Sequence, residues 1–271
     1  MWRQQRRARG FGADALRYDR ARPSYPQAMV DDLMRAAGGA GAVPAAGAAA
    51  TARPPLRVLD IGCGTAKAGR LFAARGCEVL GVEADERMAE VARTHGMAVE
   101  AAAFERWDPR GRRFDLAVCG QAWHWIEPAV GLERVAAVLT GGAPFAAFWN
   151  RATYDDRTTA ALEAVYRRHA PGILDGSVVI GRVPDAHLSH DLRLGAAERW
   201  FHPPRAAEYT WRQRYDADGF RHLLQTHSDH RRLPPATLAV LLDEIGVVAA
   251  DSGGITVHYR TRLLSVVRRA R

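Results

Sequence analysis

The sequence predicts an α/β fold, a doubly wound and mostly parallel seven-stranded sheet. Three observations predict it. Short apolar runs alternate with helical stretches after Pro55, a glycine turn closes the first run, and a glutamate closes the second run about 20 residues later.

The first run, "LRVLDI" at 56–61, is short and apolar enough for a buried strand, and "TAKAGRLFAARG" at 65–76 has helical spacing with Gly76 as its stop. A second strand, "CEVLGVEA", leads into the helix "DERMAEVARTHG", which Asp85 is placed to cap and Gly96 to end. "MAVEAAAF", "RFDLAVCG" and "APFAAFWN" supply three more strands, with helical residues 127–139 between the last two. Beyond Asn150 the rhythm changes. A helix at 155–171 precedes an irregular stretch, and "LGAAERWFH" at 194–202 and "GGITVHYRTRLLSVV" at 253–267 are the remaining strands, separated by helices at 216–230 and 235–250.

The organisation follows. Residues 38–55 are low-complexity alanine, glycine and proline, a flexible linker between an N-terminal segment (1–37) and the main domain (56–271). Residues 151–192 form an insertion on the ligand edge of the sheet.

At 271 residues and 48% hydrophobic, the chain can bury one full core. Its net charge of +8 would suit an anionic partner, but Lys67 is the only lysine in an alanine-rich, arginine-rich chain, a pattern that codon bias produces without any nucleic-acid partner. The basic clusters "RQQRRAR" and "VVRRAR" lie at the chain ends and read as solvated tails. Cys63, Cys77 and Cys119 show no paired spacing, so a reducing, cytoplasmic setting is expected. No apolar run follows the basic first residues and none is long enough to span a bilayer, so neither a secretory signal nor a membrane partner is expected. The histidines lack metal-ligand spacing, and no metal site is expected. A monomer and a homodimer fit equally.

The glycine turn narrows the ligand. In open α/β sheets, ligands sit beyond the carboxyl ends of the strands, where glycines let backbone approach closely. Here Gly62 and Gly64 form the turn, but the third glycine of a pyrophosphate fingerprint is replaced by Lys67. Glu83, ending the second strand, stands where a ribose diol needs a carboxylate. A turn with a ribose carboxylate and without the third glycine fits a nucleoside lacking phosphates, and argues against a dinucleotide oxidoreductase.

These residues carry a resemblance. "VLDIGCGTAKAGRLFAARGCEVLGVEADERM" resembles the first two motifs of class I S-adenosylmethionine-dependent methyltransferases, which have a Rossmann-like fold. "FERWDPRGRRFDLAVCGQAWHWIEP", "FAAFWN", "YDRARPSYP", "LLQTHSDHRRLPP" and "GGITVHYRTRLL" resemble its type 11, or trans-aconitate-methyltransferase-like, branch. The resemblance implies S-adenosylmethionine as cofactor. It places Gly62 and Gly64 at the methionine part, Asp60 at its amino group, Glu83 on the ribose, and Met88 and Phe104 at the adenine. Gly120 and Gln121 lie near the sulfonium, and Ala66, where relatives keep glycine, tightens helix packing. The segment with Tyr18, Arg22 and Tyr25 is implied to fold over the cofactor as a lid. On that reading, deletion before Gly38 abolishes activity and leaves the core folded.

Methyl transfer from a sulfonium is an in-line displacement, so the protein must chiefly align the acceptor and exclude water. His124, between Trp123 and Trp125, is the candidate base or acceptor-positioning residue. Trp123, Tyr25, Trp200 and Trp211 are candidate acceptor contacts, with His187, His190, Phe201 and Tyr209 nearby in the acceptor-side region. The expected function is methyl transfer to a small-molecule acceptor. A catalytically silent cofactor-binding protein and a nucleic-acid methyltransferase are the alternatives.

Overall fold

The computed structural model describes residues 14–38, 54–174 and 198–270. Helices α1 (Ala15–Ala21) and α2 (Gln27–Ala36) come first. Then β1 (Arg57–Ile61), α3 (Gly69–Ala73), β2 (Glu78–Glu83), α4 (Glu86–Thr94), β3 (Ala98–Ala101), β4 (Leu116–Gly120), α5 (Pro128–Val138) and β5 (Pro144–Thr153) alternate as expected. Helices α6 (Asp156–His169) and α7 (Pro171–Leu174) follow, and β6 (Arg205–Tyr215), α8 (Ala217–Gln225), α9 (Pro235–Asp251) and β7 (Ile255–Val267) complete the chain.

The seven strands form one sheet in the order β3-β2-β1-β4-β5-β7-β6. β1 runs parallel to both β2 and β4, with Leu59 beside Leu80 and Ala117. β7 is antiparallel to both β5 and β6. Reversal of order on either side of β1 leaves a crevice beyond the carboxyl ends of β1 and β4, the switch point where such sheets bind ligands.

Alternate side chains of the central strands face two different layers. Leu59, Ile61, Ala117 and Cys119 pack with Trp123, Leu132 and Val135 under α5. Val58, Leu116, Val118 and Phe148 pack with Phe72 of α3 and with Met29, Val30 and Leu33 of α2. A third cluster joins α6, α8 and α9 to Tyr215, Val257 and Tyr259 of the outer strands.

Three sequence expectations need correction. The sixth strand is Arg205–Tyr215, later than residues 194–202; of that earlier stretch Phe201 makes only an isolated bridge to Arg268. Pro203 and Pro204 cannot donate to a ladder, whereas the residues after them alternate between half-buried and exposed, the period of a strand with one covered face. Second, Ala66 adopts φ = 61°, so it belongs to the turn itself, and helix α3 starts only at Gly69. Third, α2 is core: Met29 and Val30 are fully buried. Truncation before Gly38 would strip one face of the sheet, so a folded remainder no longer follows from the expected lid.

Candidate active site

The crevice is a cavity of about 290 Å³. Asp60, Gly62, Gly64, Glu83, Met88, Phe104, Gly120, Gln121 and His124 line it, and Tyr18, Arg22 and Tyr25 close it from the N-terminal side.

Its floor is the turn after β1. Gly62 and Gly64 hold φ of 62° and 57°, conformations that glycine alone adopts freely, and a Cβ on Gly62 would lie 2.7 Å from that of Ala122. Asp60 is buried at the end of β1, where its Oδ2 accepts the Gly69 N–H at 2.9 Å. Its Oδ1 is buried with no hydrogen-bond partner. Burial, reinforced by the charge of Glu83, raises the Asp60 carboxyl to about 7 despite that Gly69 bond. An orphaned buried carboxylate oxygen seeks a cationic donor, and an ammonium supplies one.

Glu83, at the end of β2, accepts the N–H groups of Gly64 (2.8 Å) and Asp85 (2.8 Å). Burial raises its pKa, and these backbone donors oppose the rise. It therefore fastens the glycine turn while its remaining lone pairs stay free for hydroxyl donors. Asp85 caps α4 through the Arg87 N–H, which brings Met88 to the cavity wall.

The roof is made of side chains. Tyr25 stands edge-on to Phe148, with ring centroids 4.7 Å apart, and its hydroxyl lies 2.7 Å from where a Cβ of Gly120 would be. Only glycine at 120 admits it. Gln121 follows in a left-handed conformation (φ = 58°), strain of the kind that collects at functional sites. The Trp149 indole N–H donates to Nδ1 of His124 at 3.3 Å. Burial lowers the His124 pKa to about 4, so the ring is neutral near pH 7. With Nδ1 accepting, the ring proton sits on Nε2, and His124 offers the cavity a donor rather than a base.

Of the aromatic acceptor candidates, only Tyr25 lines the cavity. Trp123 is fully buried beneath α5, 4.6 Å from the ring of Phe145. Trp200 packs at the margin of that same core with Phe201. Trp211 lies behind the wall, stacked on Tyr259 at 4.5 Å and donating to Thr261 at 2.8 Å. Thr261 donates to Asn150 (2.6 Å), whose amide donates to the carbonyl of Ser24 (2.8 Å). Tyr209 instead bonds Asp32 at 2.7 Å. His187 and His190 lie outside the described residues. The residues that take those places are Trp125, Tyr154, His227 and Tyr259. A strand reading of 205–215 would have put Trp211 against Tyr259, but nothing local marks His227 as a wall residue.

A sheet of this order, with its glycine turn, orphaned carboxylate and buried glutamate at the switch point, suits a ligand that carries an ammonium and hydroxyl groups. Residues 58–142 match the family described as "Methyltransferase domain". An uncharacterized methyltransferase of Mycobacterium tuberculosis is 34% identical over 150 residues, 54% of this chain and 54% of the relative. A probable S-adenosylmethionine-dependent methyltransferase of Saccharomyces cerevisiae is 25% identical over 145 residues, 50% of this chain and 45% of that protein. The matches thus span about half the length of these curated relatives. A solved structure of a candidate type II methyltransferase from Anaeromyxobacter dehalogenans has the same fold, with TM-score 0.59 and 22% identity over 90% of this chain and 97% of that one. Among the described residues no helix is long and apolar enough to cross a membrane, and no three metal-ligating side chains gather.

Proposed function

We propose that the protein transfers a methyl group from S-adenosylmethionine to a small-molecule acceptor, in the cytoplasm. The buried Oδ1 of Asp60, unpartnered at the mouth of the Gly62–Gly64 turn, carries this reading: it is the partner that the ammonium of a bound amino acid requires. When bound, the cofactor supplies an activated methyl on a sulfonium. The chain's own residues do the rest. Glu83 takes the ribose hydroxyls, Met88 and Phe104 wall the adenine, and Tyr25 with Gln121 borders the reacting centre. Tyr18, Arg22 and Tyr25 exclude water. His124, donating from Nε2, holds an acceptor oxygen in line. The enclosure by α1 and the aromatic wall of Trp125, Tyr154 and Tyr259 favours a small acceptor over a polymer.

Calorimetry with S-adenosylhomocysteine, with reduced nicotinamide dinucleotides as controls, tests the reading. Binding of the nucleoside that weakens in Glu83→Ala supports it; binding of the dinucleotides alone overturns it. Turnover in an acceptor screen then separates an enzyme from a silent binder.

A further inference from the structure

Arg22 contrasts with the arginines that hold the described structure together through carboxylates. Arg17, Arg70, Arg75, Arg93, Arg112 and Arg232 each pair with a carboxylate within 3.2 Å. Arg22 has no such partner among the described residues. Its Nε is buried without any acceptor, one Nη reaches the Thr226 carbonyl at a long 3.3 Å, and the guanidinium lies 5.3 Å from the ring centre of Tyr18. An uncompensated guanidinium held partly out of water is costly, and the cost is met when an anion arrives.

Its position says whose anion. The Arg22 charge is felt at Tyr25, Tyr215, His227, His230 and Tyr259, four of them on or beside α8 and the outer strands, and its Nη reaches the Thr226 carbonyl at the end of α8. Each of these groups is neutral near pH 7. Tyr215 and Tyr259 bond each other at 3.0 Å, and His230 bonds Tyr166 at 2.7 Å. Asp229, the carboxylate bordering this end, is already taken by Arg232 at 2.6 Å. The other end has its own cation, because Lys67 lines the cavity beside the turn.

Resting on the methyltransferase reading, we propose that Arg22, with His227 beside it, forms the binding pole for an oxyanion on the methyl acceptor, a carboxylate or a phosphate. Arg22 then serves the acceptor and not the cofactor. Its fork donates to two oxygens at once, and His227, bordering the cavity with no hydrogen-bond partner among the described residues, supplies a further donor. The aromatic wall between this pole and Gly120 takes the apolar body of the acceptor.

The test uses the full chain loaded with S-adenosylhomocysteine and titrated with benzoate, phenyl phosphate, benzamide and benzyl alcohol. At least one anion is expected to bind about tenfold more tightly than benzamide, the preferred anion naming the oxyanion. Arg22→Gln abolishes that preference, Arg22→Lys keeps part of it, and both bind S-adenosylhomocysteine within about twofold of the parent, which also shows that they fold. Neutral probes binding as well as both anions, or no anion binding in the millimolar range, overturns the proposal. So does a rise of about tenfold or more in the Kd for S-adenosylhomocysteine in Arg22→Gln, which returns Arg22 to the cofactor. Failure of the methyltransferase reading is distinct, since the parent then binds no S-adenosylhomocysteine at all.

Discussion

The two ends of the cavity are built by different means. At the proposed cofactor end, Asp60, Gly62 and Gly64 share one turn, and Glu83 is tied to it across 19 residues by a bond to backbone. At the proposed acceptor end the ties run from side chains to distant segments, Asn150 to Ser24 across 126 residues and Arg22 to Thr226 across 204. A site made of backbone N–H groups is fixed by the fold itself, whereas a site made of side chains from separate elements changes with a few substitutions. One cradle can therefore serve many acceptors.

Glu83→Ala gives the largest expected effect, because it removes the carboxylate proposed to hold the ribose and also frees the N–H groups of Gly64 and Asp85. The Kd for S-adenosylhomocysteine rises about 100-fold, near 2.7 kcal/mol, in calorimetry. Trp125→Ala, from the other end, leaves that Kd within about threefold. Equal losses in both variants would erase the division between the two ends.

A second effect comes from acid. The raised pKa of Asp60 means that in the free protein this carboxyl holds a proton below about pH 7, while an ammonium partner requires it ionised. Affinity for S-adenosylhomocysteine is therefore flat just above pH 7 and falls about tenfold per unit below it, reaching a loss of about 30-fold at pH 5.5. Asp60→Asn binds weakly and without that slope. The sign for stability is opposite: the free protein loses Asp60's contribution as pH rises from the ordinary carboxyl value of 3.8 to about 7. Bound nucleoside restores it, which thermal melts at pH 5 and 7.5 would show.

His124 sharpens the comparison from the acceptor end. His124→Ala is expected to lower kcat about tenfold or more with the nucleoside Kd unchanged. As a donor on Nε2, with a pKa near 4, it adds no limb to the kcat profile between pH 5 and 8. Disappearance of an acidic limb in that range on mutation would instead make it a base.

The same contrast explains what could be read from sequence. Asp60, the glycines, Glu83 and Met88 were legible because a strand, a turn and a cap are each written in consecutive residues. The run "WHW" was legible only in part: His124 borders the cavity where the sequence reading put it, but Trp123–Trp125 forms a single tight turn that sends Trp123 into the core under α5, and no periodicity sets that phase. His227 and Tyr259 reach the wall only because β7 and α8 return to the sheet beside β5. Ala66 was misread for a local reason, since a left-handed alanine has the composition of a helix and the conformation of a turn.

The smallest effects belong to α1, which touches both ends. Asp19 binds it to the cofactor side through Arg70 (2.7 Å) and His95 (2.8 Å), and Arg17 binds it to Gln225 of α8 (2.7 Å) on the acceptor side. Burial works to raise the Asp19 pKa, but the nearby Thr65 hydroxyl, the bond to His95 and the charge of Arg70 together hold it low, so the carboxylate persists as the stronger anchor. Asp19→Asn should cost about 1 kcal/mol in urea unfolding and weaken nucleoside binding about fivefold. Gln225→Ala, which removes an exposed contact, should change either by less than about 0.5 kcal/mol. Limited proteolysis near α1 reports the same order directly, with faster cleavage in Asp19→Asn. If Gln225→Ala loosened α1 as much as Asp19→Asn does, the helix would be docked to the acceptor end, and its closure would depend on the acceptor rather than on the cofactor cradle.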